Sequence, residues 1–203
     1  IYVPSLYEVE YNEDGTVKSV TGPQMPIRKR FVKDFNASYF PEKLIAPFIG
    51  LVHDRVTLEI FRGCTRGCRF CQAGYIYRPN RERKKETIEK QADELINCTG
   101  YEELSLSSLS SGDYSQINDL TIELIDKFEK QHVSVSLPSL RVDSFEKEYA
   151  KRMQSARKSS YTFAPEAGTQ RLRDVINKNV TEEDLKATVL TLAILLPITS
   201  ILV

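Results

Sequence analysis

The sequence predicts an α/β fold built on a parallel sheet. Two observations carry this reading. From Val56 onward, short alternating or β-branched runs give way repeatedly to runs with helical periodicity. Each strand-like run also ends in a loop of polar or ligating residues rather than in a hairpin turn. Strands that alternate with helices pair in parallel through right-handed crossovers, and functional groups collect where such strands end.

The elements follow in order. Tyr7 to Tyr11 alternates, Glu13-Asp14-Gly15 supplies a turn, and Thr16 to Val20 alternates again, which is a β-hairpin pattern. From 21 to 55, prolines 23, 26, 41 and 47 interrupt every period. This predicts an extended connector with a short helix over 41–49, its Phe31, Phe35, Tyr39 and Phe40 packed on the core. Val56 to Phe61 is the first strand of the core. Thr87 is placed to cap a helix whose Ile88, Gln91, Ala92, Leu95 and Ile96 share one face, stopping at Gly100.

Leu104 to Leu109 is the second strand. Ser115 is placed to cap a helix that turns Ile117, Leu120, Leu124, Ile125 and Phe128 inward. Val133 to Leu137 is the third strand. Asp143 and Glu146 have capping-box spacing before a helix carrying Phe145, Tyr149 and Met153. Tyr161 to Ala164 is the fourth strand, Thr169 opens a short helix, and Thr181 with Asp184 forms another capping box. From Ala187 to Val203 the chain carries no charge, and Pro197 interrupts the run. The expected divisions are a hairpin and connector (1–55), a core (56–189) and an apolar tail (190–203).

Composition narrows the function classes. Lys plus Arg and Asp plus Glu number 28 each, so net charge gives no general attraction to nucleic acid or membrane. The apolar tail is short for a membrane span and is broken by proline, so no membrane partner is expected. Three of the four cysteines crowd into one stretch, which is no disulfide framework and suits a reducing cytoplasm. The fourth, Cys98, is expected to be a buried thiol on a helix.

The organising stretch runs from Phe61 to Cys71. Cys64, Cys68 and Cys71 are spaced Cys-x-x-x-Cys-x-x-Cys, and Gly63 and Gly67 let the backbone turn tightly around them. Three soft thiolates select zinc, copper(I) or an iron–sulfur cluster. Structural zinc usually takes paired ligands, with a second pair downstream. Here only Cys98, His53 and His132 remain. A 4Fe–4S cluster on three local ligands keeps one iron open to an exogenous ligand.

With aromatic Phe70 before the third cysteine, this triplet resembles the signature of the radical S-adenosylmethionine (radical SAM) enzymes. The longer run Arg62 to Arg83, RGCTRGCRFCQAGYIYRPNRER, is similar to that of a bacterial subfamily with an upstream cobalamin-binding-like domain. The resemblance extends from about Ser5 to about Thr188. It implies a partial (βα) barrel, here truncated after about four units. It also implies two cofactors, a 4Fe–4S cluster held by Cys64, Cys68 and Cys71, and S-adenosylmethionine (SAM). Reductive cleavage of SAM to a deoxyadenosyl radical would act on a substrate that the sequence does not name. The electron donor would be a protein such as flavodoxin or ferredoxin.

Within that resemblance, Ser110, Ser111, Gly112 and Asp113 occupy the place of the family's glycine-rich motif, with serines for glycines and Asp113 for a glutamate. Asp113 would accept from the methionine ammonium group. Arg141 would pair with its carboxylate, and Glu166 would bond the ribose hydroxyls. Phe70 would flank the cluster. No catalytic residue is assignable. The basic run Arg78, Arg81, Arg83, Lys84, Lys85 is either a solvated face or an RNA contact. The alternatives to catalysis are a zinc-stabilised module, an RNA-binding module, and a fragment that loads iron yet cleaves SAM poorly. The first residue is Ile, so an upstream segment is expected as well.

Overall fold

A computed structural model describes residues 2–138, 140–144, 151–152 and 162–195. Contacts divide the chain into two compact units, Ile1–Asp34 and Phe35–Val203.

The first unit is the expected hairpin. Strands β1 (Glu8–Tyr11) and β2 (Val17–Thr21) pair antiparallel, with a register irregularity at Glu10/Tyr11. Gly15 takes φ +81° in the turn, a conformation open to glycine at no steric cost. Asp14 fixes the far side of the turn by accepting from the Thr16 amide (2.9 Å) and hydroxyl (2.6 Å).

The second unit is built on a three-stranded parallel sheet, order β3–β6–β7, formed by Val56–Glu59, Glu103–Ser107 and Ser134–Ser136. The register sets Leu58 opposite Leu106 and Leu104 opposite Val135. Side chains alternate across a strand, so Val56 and Leu58 are fully buried while Thr57 and Glu59 face the other way. Helix α2 (Lys85–Thr99) buries the five residues that its periodicity marks and ends on Gly100 in the left-handed conformation. Helix α3 (Ile117–Phe128) buries its five marked residues and Thr121. These faces join the sheet in one apolar core that also takes Phe163, Val180 and Leu192. A fully buried Leu or Ile contributes about 1.5–3 kcal/mol by leaving water, so the two helix faces stabilise this unit strongly.

Several expectations are corrected. Thr87 does not cap α2; the helix begins two residues earlier, at Lys85, and the Lys84 amide donates to Asn36 Oδ1 (2.6 Å). Ser115 does not cap α3, because its amide and hydroxyl both donate to the Glu82 carboxylate. No helix forms over 41–49, where prolines 41 and 47 bracket the segment. Of the connector aromatics, Phe35 is buried and Phe40 packs against the core, but Tyr39 is 91% exposed and Phe31 47%. Cys98 is exposed at the edge of the α2 face, in its last turn.

Among the described residues, the fourth strand is reduced to one bridging residue, Thr162; Tyr161 lies outside them. So do Phe145, Glu146, Tyr149 and Met153 of the expected helix, and residues 196–203 of the tail. Thr169 caps α4 (Gln170–Val175) by accepting from the Leu172 amide. Thr181 and Asp184 form the expected reciprocal box at the start of α5 (Glu182–Leu195). No helix among the described residues is long and apolar enough to cross a membrane.

Candidate functional site

The cysteine loop begins where the first core strand ends. A two-residue strand, β4 (Phe61–Arg62), pairs antiparallel with β5 (Arg81–Glu82) and closes residues 63–80 into one loop. Gly63 makes the entry turn at φ +108°. A Cβ there would lie 2.4 Å from Asn80 Oδ1 and 3.0 Å from Tyr77 O, so only glycine fits. Cys68 is buried, Cys64 and Cys71 are half-buried, and none is in a disulfide. The Cys71 amide donates to Cys68 O (3.0 Å), and helix α1 (Ala73–Ile76) follows the third cysteine. Among the described residues, no three His, Cys, Asp or Glu side chains are gathered closely enough to hold a metal ion as they stand.

Arg66, between the first two cysteines, ties the loop to the ends of the strands. Its Nε donates to Asp113 Oδ2 (2.7 Å), its Nη2 to Asp113 Oδ1, and its Nη1 to Asp143 Oδ2 (2.8 Å). Asp113 sits just past β6 and Asp143 past β7. Arg141 braces the same carboxylate, donating from Nε to Asp143 Oδ1 (2.9 Å) and from Nη2 to Asp143 Oδ2 (3.2 Å) and Lys178 O (2.6 Å). Lys178 Nζ then reaches Glu166 Oε1 (3.1 Å) and lies 6.0 Å from the centroid of the Phe70 ring. The segment after α4 holds the loop from the other side. The Asn177 side-chain Nδ2 donates to Gly67 O (2.8 Å), and Ile176 O accepts from the Arg69 backbone amide (2.9 Å).

The electrostatics follow from this geometry. Burial works to raise the Asp113 carboxyl, but hydrogen bonds and charge from Arg66 outweigh it and hold the carboxyl below its ordinary range. Arg66 is held above its own ordinary range, first by the hydrogen bond to Asp113 and then, against burial, by the charges of Asp113, Asp143 and Cys64.

Asp113, Arg141, Glu166 and Phe70 therefore meet through a chain of contacts that runs through Arg66, Asp143 and Lys178. Asp113 gives both carboxylate oxygens to Arg66. Arg141 is committed to Asp143 and Glu166 to Lys178. Ser110 and Ser111 are buried; Ser111 Oγ donates to Leu106 O (3.1 Å), while Ser110 Oγ has no hydrogen-bond partner among the described residues. Gly112 lets the loops after β6 and β7 approach, since a Cβ there would stand 2.1 Å from Ser144 Oγ. Phe70 is 56% exposed. Arg66, Asp143, Asn177 and Lys178 were not foreseen. The one available signal was an arginine inside the cysteine loop with aspartates at two strand ends.

Beside the loop lies a cavity of about 390 Å³, lined in part by Thr57, Glu59, Arg62, Tyr77 and Ser107. Glu59 and Arg62 form a two-point pair at 2.8 and 2.6 Å, and the Arg62 guanidinium lies 4.8 Å from the centroid of the Phe35 ring. Arg83 is on the same ring at 4.2 Å and is buried, donating to Phe35 O (3.1 Å). It is thus withdrawn from the basic face or RNA contact expected of 78–85, whereas Arg78 and Lys84 are exposed.

Compared with known proteins, the chain matches the Radical SAM superfamily over residues 58–203. An uncharacterized protein of Methanocaldococcus jannaschii is 38% identical over 128 residues, which cover 63% of this chain and 27% of that protein. Among solved structures, the radical SAM methyltransferase TsrM of Kitasatospora setae, with tryptophan substrate and the SAM analog aza-SAM bound, superposes with a TM-score of 0.56. Identity there is 12%, over 70% of this chain and 28% of that one. The likeness to the methyltransferase is one of fold, and the chain spans about a quarter of the length of each relative.

Proposed function

We propose that this chain, which belongs to the radical SAM superfamily, carries the cofactor-binding part of an enzyme that cleaves S-adenosylmethionine reductively. The observation that carries the reading is the cysteine loop. It holds three thiols outside any disulfide and is stapled at its base by β4 and β5. The donor set fits a 4Fe–4S cluster with one open iron, because the sulfurs are soft, number three and lie within eight residues.

Cys64, Cys68 and Cys71 would hold the cluster, which when bound supplies the electron that splits the sulfonium of SAM into methionine and a deoxyadenosyl radical. Ferredoxin or flavodoxin is the class of partner that would deliver that electron. The chain's own residues bind and orient. Asp113 and Arg141 offer charges that match the ammonium and carboxylate of the methionine end, in exchange with Arg66 and Asp143. Glu166 would accept from the ribose hydroxyls, in exchange with Lys178. The parallel strands β3, β6 and β7 would begin a partial barrel whose lumen is the cavity beside Glu59 and Arg62.

The test is to add SAM to the reconstituted, reduced chain under anaerobic conditions. A changed electron paramagnetic resonance spectrum and release of deoxyadenosine are expected, both lost in Cys68→Ala. An unchanged spectrum with no deoxyadenosine contradicts the proposal.

A further inference from the structure

We propose that Arg66 is the positioning residue that sets the cysteine loop over the strand ends, acting as a fork between Asp113 and Asp143. This rests on the reading of that loop as the ligand-bearing one. The sequence gives the loop little rigidity of its own. It runs from Gly63 to Gln72 without a helix or strand, and both Gly63 and Gly67 adopt positive φ. Something outside the loop must fix it. The contacts from the α4 side are the Asn177 side-chain amide on Gly67 O, Ile176 O on the Arg69 backbone amide, and Val175 O on the Arg69 guanidinium (2.5 Å). The contact toward the sheet is Arg66 alone among the residues between the first and third cysteines for which a side-chain contact to a strand-end loop is described.

Arginine suits the task better than lysine. Its planar guanidinium donates along three directions at once, so a single side chain meets Asp113 at two atoms and Asp143 at a third. A lysine ammonium keeps the charge but cannot reproduce that two-point geometry. Arg141 clamps Asp143 from behind with two further hydrogen bonds, which leaves the carboxylate little freedom to swing away. The fork therefore links the first, second and third strand ends through one residue of the loop.

The test compares the wild-type chain with Arg66→Ala, Arg66→Lys and Asp143→Asn by hydrogen exchange without added iron, and then by iron content after anaerobic reconstitution. The reporters are the Arg69 and Cys71 amides, which are hydrogen-bonded to Ile176 O and Cys68 O. Hydrogen bonds to charged groups are the stronger class, so both Arg66 variants should exchange about tenfold faster or more across 64–71, with α2 and α3 unchanged. Asp143→Asn, which leaves the Asp113 contacts in place, should fall between them and wild type. Iron loading should drop in the same order. Loop exchange at the wild-type rate in either Arg66 variant, or a rise spread evenly over the whole unit, overturns the proposal. Altered exchange in a chain whose wild type takes up no iron would sink the cluster reading while leaving the positioning role standing.

Discussion

Asp113 shows how a site residue is reassigned by its neighbours. Its carboxyl is largely buried, with 15% of the side chain exposed, yet the Arg66 fork keeps it ionised below the ordinary aspartate range. A depressed folded-state value means that this group stabilises the fold above its unfolded value, near 3.9, and that the contribution fades as pH falls through the lower folded value. Asp113→Asn removes the charge at nearly constant shape. Urea midpoints at pH 7 should show the variant less stable than wild type, and the gap should narrow below about pH 4. A gap that stays constant from pH 7 to pH 3 would show that Asp113 does not act through its ionised pair. At this scale the sequence could mark Asp113 as polar and at a strand end. It could not name the partner, because Arg66 stands 47 residues away and Asp143 77 residues from Arg66. Arg83 was misjudged for a related reason: inside a basic run, nothing local distinguishes the one guanidinium that folds under Phe35.

Elements were easier to read where a period or a cap carried them. The inward faces of α2 and α3 emerged residue by residue, because five apolar or semi-polar positions at helical spacing leave one phase open. Thr169 and Thr181 were readable as caps for the same local reason. The pair β4–β5 was not, since two-residue strands carry no period, and their pairing is decided by how the cysteine loop closes. The end of α2 offers a clean measurement. Gly100 sits at φ +70° with nothing within 4 Å of where a Cβ would be. Gly100→Ala should therefore cost about 1 kcal/mol from backbone strain alone, read as a shift in the urea midpoint with an unchanged slope. A neutral result would mean that the helix end relaxes out of the left-handed conformation.

At the scale of the whole molecule, the chain belongs to the radical SAM superfamily, and its parallel sheet with helices is similar in fold to a radical SAM enzyme. The chain covers 27% of one relative and 28% of the other, so substrate and partners belong to a longer polypeptide in those proteins. What this segment holds is the cysteine loop, with the strand-end charges locked to it through Arg66. The measurement that tests this most directly is metal content after anaerobic reconstitution with iron and sulfide. Wild type and Cys98→Ala should be brown and carry about four irons per chain, while Cys64→Ala, Cys68→Ala and Cys71→Ala should lose the colour and most of the iron. A colourless wild-type protein holding one zinc, or full iron content in any of the three loop variants, would contradict the account.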